Sequence, residues 1–227
     1  MSSAELAHTM PGGERVLFST RADGNMSSVS GTGARAGSAA RERLRARLGL
    51  RRIVRGRQVH GAMVARAPDP IAARPGGREL ADADGQATSM RGVGVMVLTA
   101  DCLPVALGCG DAVAMLHAGW RGLAGGVLEE GVRALRQLGA GREVAAVIGP
   151  GAGACCYEVG ADVHAALTGD RRAGPIDLSA IARERLQRAG VAHVCELRAC
   201  TICDARFFSH RREGEGAGRQ AAVAWLS

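Results

Sequence analysis

The sequence predicts an α+β fold built around a central mixed sheet. Continuous apolar runs at residues 93–99, 103–107 and 112–116 are short and β-rich, the pattern of buried strands. Residues 123–138 place apolar side chains at 123, 127, 128, 132, 135 and 138, which is helical spacing. Strands and helices mix without a strict strand–helix–strand rhythm, which argues against a doubly wound parallel sheet.

The elements follow in order. Residues 1–14 show no periodicity and read as a loose tail ahead of one domain at 15–227. Residues 15–19 form a short apolar strand. Residues 22–38 are rich in Gly, Ser and Ala and read as a long loop. Residues 39–48, with Leu44 and Leu48 one turn apart, read as a helix stopped by Gly49. A strand over 52–59 runs to His60-Gly61, and 63–67 continues or partners it. Prolines and glycines make 68–79 a loop, and residues 82–85 a turn. After the three apolar strands and the helix at 123–138 comes a strand at 143–148, closed by Gly149-Pro150. A helix is expected at 161–167, and a second runs from a cap at Asp177 to Ala189, with Gly190 ending it. Strands at 193–197 and 221–226 flank a polar, loop-like stretch over 200–219.

The 227 residues suit one domain, and the 47% apolar content supplies a core. No basic-then-apolar start marks a secretory signal, and no apolar run approaches the ~20 residues of a membrane span. The expectation is a soluble, cytoplasmic protein. The net charge of +7 is carried entirely by arginine, with no lysine in the chain, as a GC-rich coding bias produces. With 3% aromatic residues there is little to stack bases, so a nucleic-acid partner is not expected. Seven cysteines, an odd number without an export signal, read as reduced thiols available for metal or catalysis.

His60, Cys102 and His117 each sit at the end of an apolar strand run, with Gly or Pro within two residues. Strand ends beside tight turns are where rigid sites are assembled. Two imidazoles and a thiolate match zinc, and three protein ligands leave a fourth position open for water or substrate. Their separations fit no local metal motif, so spacing leaves the plain alternative open: a strand-end histidine and a buried thiol.

The wording around these residues is more specific. Gln58-Val59-His60-Gly61, Thr99-Ala100-Asp101-Cys102-Leu103-Pro104-Val105 and His117-Ala118-Gly119-Trp120-Arg121-Gly122 resemble the three signature motifs of the laccase-domain (YfiH-like) family, now called purine nucleoside phosphorylases. Ile148-Gly149-Pro150, Cys156-Tyr157-Glu158-Val159, and the block Cys200-Thr201, Phe207 to Arg212 and Gly218-Arg219-Gln220 extend the resemblance over about residues 15–226. The resemblance implies a single-domain layered sandwich of mixed sheets flanked by helices, cysteine-hydrolase-like. It implies one zinc per chain on His60, Cys102 and His117, with copper as an adventitious occupant. It implies phosphorolysis of adenosine, inosine, guanosine or methylthioadenosine, and deamination of adenosine, with nucleosides and phosphate as partners.

Several roles stay open at this stage. Asp101 is either an acid/base or a residue that hydrogen-bonds the turn. Arg121 is the first candidate for the phosphate, Arg21 and Arg211 are weaker ones, and Gln58 belongs with the substrate residues. The loop at 22–38 departs from the family's pattern, which bears on substrate choice. Cys200-x-x-Cys203 has no second C-x-x-C or His pair in the sequence to complete a metal site. Three other functions compete. One is a copper polyphenol oxidase, against which stand only six histidines and no His-x-His pair. Another is a cysteine or zinc amidohydrolase editing peptidoglycan precursors, with Cys102 as nucleophile and His117 as base. The third is a protein with structural zinc, completed by Cys156 or His210.

Overall fold

The computed structural model describes residues 6–27, 32–66, 80–139 and 143–227. In chain order the elements are β1 (Ala7–Thr9), β2 (Arg15–Phe18), α1 (Thr32–Arg47), β3 (Arg52–Val54), β4 (Gly56–Arg57), β5 (Val64–Arg66), β6 (Leu80–Asp82), β7 (Gly85–Thr88), β8 (Val93–Thr99), β9 (Leu103–Gly108) and β10 (Val113–Ala118). They continue with α2 (Trp120–Gly125), α3 (Val127–Leu138), β11 (Val144–Ile148), β12 (Glu158–Val159), α4 (Ala161–Thr168), β13 (Gly174–Pro175), α5 (Leu178–Arg188), β14 (Val191–Glu196), α6 (His210–Glu213) and β15 (Gln220–Trp225).

Two mixed sheets stack face to face. One has the order β1-β2-β15-β8-β3 and the other β14-β11-β9-β10-β7-β5. Alternation along each strand sorts its side chains between layers. Val95 and Val97 of β8 join Phe18, Ala106, Val113, Met115, Val147 and Ala222 in the core between the sheets. Met96 and Leu98 turn the other way, against Ala40 and Leu44 of α1. On the far side of the second sheet, Val105 and Leu107 of β9, with Ala114 and Leu116 of β10, pack under α3 and α5. The result is helix, sheet, sheet, helix, a layered α+β sandwich. Both faces of β8, β9 and β10 are buried, which is why their sequences are apolar throughout rather than alternating.

Several expectations change. The described part of the tail is ordered into the domain: β1 pairs antiparallel with β2, and Leu6 and Met10 are buried. The loop read over 22–38 ends early, because α1 starts at Thr32. The helix read at 123–138 is two helices, broken at Gly126, whose φ of 88° only glycine adopts easily. The turn at 82–85 leads straight into β7, a strand whose Gly, Gln, Ala and Thr hid it from an apolar count. Residues 210–213 make the short helix α6 inside the stretch read as loop. The loop expected at 68–79 lies outside the described residues. No helix among the described residues is long and apolar enough to cross a membrane.

Gly131 of α3 lies directly on Leu116, and a Cβ there would press into both Leu116 methyl groups. Gly131→Ala should therefore lower the denaturant midpoint. Overpacking of about 1–3 kcal/mol exceeds the ~1 kcal/mol gained in helix propensity. Equilibrium unfolding in guanidinium checks this; a rise in the midpoint would contradict the packing described.

Candidate metal centre and its cleft

Cys102 immediately precedes β9 and His117 is the penultimate residue of β10. The two strands pair antiparallel with His117 opposite Pro104 and Ala118 opposite Leu103. Cys102 and His117 therefore come to the same end of one hairpin. His117 shares the face of Val113 and Met115, so it points between the sheets, where it is buried. Gly119 follows opposite Cys102. A Cβ there would stand 2.8 Å from the Cys102 sulfur and 3.3 Å from the His60 ring, so only glycine leaves room.

His60 arrives from a separate loop after β4. Its φ of 60° is in the left-handed region, which costs free energy for a residue other than glycine. Asp84 holds it there. The Asp84 carboxylate, fully buried, accepts hydrogen bonds from the backbone N–H groups of Val59 (3.0 Å), His60 (2.9 Å) and Gly61 (2.7 Å). The same carboxylate lies 2.8 Å from His117 Nδ1. Burial alone would raise the Asp84 carboxyl, but the bonds from His117, Gly61 and Val59 outweigh it and hold the group below its usual range. With Nδ1 engaged, His117 presents Nε2, the arrangement by which a carboxylate orients a metal-binding imidazole.

The ligand atoms of His60, Cys102 and His117 all lie within 4.8 Å of one another. The two imidazole rings meet edge to face, with centroids 4.9 Å apart. Burial opposes charge on both Cys102 and His117, yet each stabilises the charged form of the other. The thiol is brought down to about 6 and the imidazole up to about 9. A thiolate, two imidazoles and an orienting carboxylate fit a metal ion, and three donors leave room for a further ligand. Asp84 was not singled out from the sequence, where it read as part of a turn; a carboxylate just before a strand carries no signal of its partners.

The centre opens into a cleft of about 560 Å³ lined by all three donors and by Gln58, Asp101, Trp120, Arg121, Tyr157, His210, Arg211 and Arg219, among others. Arg121 lies in the first turn of α2 with its guanidinium 4.3 Å above the Trp120 ring, and Arg211 sits 5.0 Å from the Tyr157 ring. Arg21 is not among the lining residues: it stacks on Phe208 and pairs with Glu213. The Gln58 amide, though in the wall, is engaged with both backbone groups of Leu98, at 2.8 Å each. Asp101, at φ 87°, accepts the Thr201 hydroxyl on one oxygen (2.7 Å) and the Arg211 N–H on the other (2.7 Å). Of its two readings this geometry favours the positioning one. Cys156 belongs to a different cluster, so it is not a fourth ligand here, and the His210 Nδ1 meets the Gly214 carbonyl.

Over residues 15–227 the sequence matches the family described as multi-copper polyphenol oxidoreductase laccase. The chain belongs to that family. Among its relatives is a purine nucleoside phosphorylase of Xylella fastidiosa, 41% identical over 89% of this chain and 84% of that protein. Another, from Pseudomonas aeruginosa and also named purine nucleoside phosphorylase, is 39% identical over 74% and 72%. Among solved structures, a Neisseria meningitidis protein of family DUF152 superposes with a TM-score of 0.82 at 32% identity, covering 98% of each chain. YlmD of Geobacillus stearothermophilus superposes with a TM-score of 0.83 at 26% identity, covering 100% and 98%. Laccase-domain members thus share both this fold and this sequence pattern. The family's description suggests copper or another metal. Among the described residues, two histidines converge with a cysteine at one centre.

Two outcomes follow from this centre. Asp84→Asn should weaken metal binding by about 10–100-fold, measured by chelator competition. It should also destabilise the fold by about 3 kcal/mol or more, since one amide oxygen cannot replace a carboxylate accepting from four donors. In metal-stripped protein, alkylation of Cys102 should rise through pH 6 and level off by pH 8, because the thiol is held at about 6. Peptide mapping reads Cys102 separately from the other thiols. Added metal should suppress that alkylation, and an unsuppressed rate would show that Cys102 is not a ligand.

Proposed function

We propose that the chain is a cytoplasmic, zinc-dependent purine nucleoside phosphorylase. The observation that carries this reading is the convergence, in one cleft, of the His60–Cys102–His117 donor set with two arginine-on-aromatic pairs, Arg121 over Trp120 and Arg211 over Tyr157. The names of the relatives point the same way. The thiolate and imidazoles suit zinc by ligand type, while copper competes for such a set by raw affinity. When bound, zinc would supply Lewis acidity toward a substrate heteroatom or water.

The protein's own residues supply the rest. Guanidinium groups recognise phosphate through paired, charge-assisted hydrogen bonds, and of the arginines lining the cleft we assign that role to Arg121 and Arg211. The Trp120 and Tyr157 rings, each stacked against its arginine and packed on the core, hold those guanidinium groups at the cleft. Burial and the charge on Cys102 raise the Tyr157 phenol, which keeps it protonated as a hydrogen-bond donor. In phosphorolysis a phosphate oxygen bonds to C1′ as the C1′–N9 bond breaks, and the purine leaves with that electron pair and gains a proton. Deamination of adenosine belongs to the same reading, with water adding at C6 and ammonia leaving. Asp101 acts here as a positioning residue, fixing Arg211 through its backbone. Arg21 pairs with Glu213 outside the cleft, while Gln58 stands in the cleft wall with its amide bonded to Leu98.

One observation favours a second reading. Asp84, His117 and Cys102 form a line of carboxylate, imidazole and activated thiolate, which without metal is the arrangement of a cysteine amidohydrolase. Metal at this centre would block that nucleophile.

Protein of known metal content should be incubated with adenosine, inosine, guanosine and methylthioadenosine, with and without phosphate, and the products separated by chromatography. Phosphate-dependent release of free base is expected. Cys102→Ser and His117→Ala should lose metal and turnover together while the fold survives. Turnover by metal-free protein would overturn the zinc reading, and amide hydrolysis by that protein would establish the second one.

A further inference from the structure

A second cluster stands apart from the three donors at the centre. Cys155, Cys156, Cys200 and Cys203 bring their four sulfur atoms within 4.8 Å of one another. Cys203 Sγ lies 2.8 Å from Cys156 Sγ and 3.4 Å from Cys155 Sγ. The pairs come from two turns far apart in sequence. The first follows β11, where the N–H groups of Cys156 and Tyr157 both donate to the Gly153 carbonyl at 3.0 Å. The second follows β14, where Asp204 N–H closes back on the Cys200 carbonyl at 2.9 Å. A parallel bridge between Gly151 and Cys200 sets the turns side by side, with Thr201 N–H donating to the Gly151 carbonyl at 2.9 Å.

We propose that these four cysteines bind a single structural zinc ion. Four thiolates around one tetrahedral zinc, with Zn–S near 2.3 Å, place sulfurs roughly 3.8 Å apart, and the four here all lie within 4.8 Å of one another. Convergence of all four on one point is what an ion requires. Disulfides would need two separate pairs, and Cys203 instead approaches both Cys155 and Cys156. The spread is also that of one ion rather than a multi-iron cluster. Backbone donors surround the Cys200 sulfur as they do in metal-binding Cys-x-x-Cys turns: the Ile202 and Cys203 N–H groups of its own turn bond it, and Gly153 N–H of the first turn points at it at 3.2 Å. Gly153 is itself shaped by the cluster, since a Cβ would come within 3.4 Å of the Cys155 and Cys200 sulfurs. With four protein ligands the site is closed, which marks a structural role.

Its place in the fold gives that role content. Tyr157 follows Cys156 and lines the cleft. Thr201 follows Cys200 and donates to Asp101, which in turn holds the Arg211 N–H. Arg212 donates to the carbonyls of Thr201 and Ile202 at 2.8 Å each. The ion would pin together the two turns that carry one wall of the cleft, some distance in sequence from the donors at its floor.

The test is a metal count on full-length protein purified under reducing conditions, by inductively coupled plasma mass spectrometry. Two metal ions per chain are expected, one of them zinc that is lost in the Cys200→Ser/Cys203→Ser variant but kept in the His60→Ala/Cys102→Ser variant. A second measurement does not depend on a folded variant. Wild-type protein reconstituted with cobalt should show the intense visible bands and sulfur-to-cobalt charge transfer of a tetrathiolate site. The proposal is overturned by a wild-type count unchanged in Cys200→Ser/Cys203→Ser, by iron in place of zinc, by cobalt bands lacking the tetrathiolate signature, or by disulfides among these four cysteines under reducing conditions.

Discussion

The buried carboxylate of Asp84 is the interaction on which the centre depends. It joins two pieces of chain that nothing else in the local sequence relates: the loop carrying His60 and the strand end carrying His117. A buried charge is costly unless every lone pair is satisfied, and here three backbone N–H groups and an imidazole satisfy them. The left-handed conformation of His60 is sustained by those same bonds. Asp84 thereby fixes the backbone of one donor and the ring orientation of another.

The sandwich supplies the other constraint. A hairpin whose two strands are buried on both faces cannot slip register without moving apolar side chains into the wrong layer. The ends of β9 and β10 are thus rigid, and Cys102 and His117 inherit that rigidity. The unusual backbone at Asp101, directly before Cys102, is held by bonds to Thr201 and Arg211, so the C-terminal block is tied to the same strand end. Strain at both His60 and Asp101 lies within a residue or two of the donors, where surrounding hydrogen bonds over-determine it.

Much of this was legible in advance. The apolar runs marked β8, β9, β10 and β11 nearly to the residue, because a strand buried on both faces writes an unbroken apolar word. Asp177 caps α5 as its residue type suggests, accepting the Ala180 N–H at 2.9 Å. The strands with little apolar content were not legible. β7 is Gly-Gln-Ala-Thr and fully buried, and β1 is a three-residue edge that exists only because β2 is beside it. The break between α2 and α3 was also missed, since Gly126 interrupts the backbone without interrupting the apolar spacing.

The sequence by itself determined the buried strands, since burial on both faces is a local property written in residue type, and the resemblance of its motifs added the layered sandwich and the three candidate donors. What only the tertiary structure decided is which distant groups meet. Asp84 with His117, Asp101 with Thr201, Arg21 with Glu213 rather than the cleft, and Cys155-Cys156 with Cys200-x-x-Cys203 are all long-range pairings. Such pairings depend on strand order and on two turns lying side by side, and no periodicity along the chain records either.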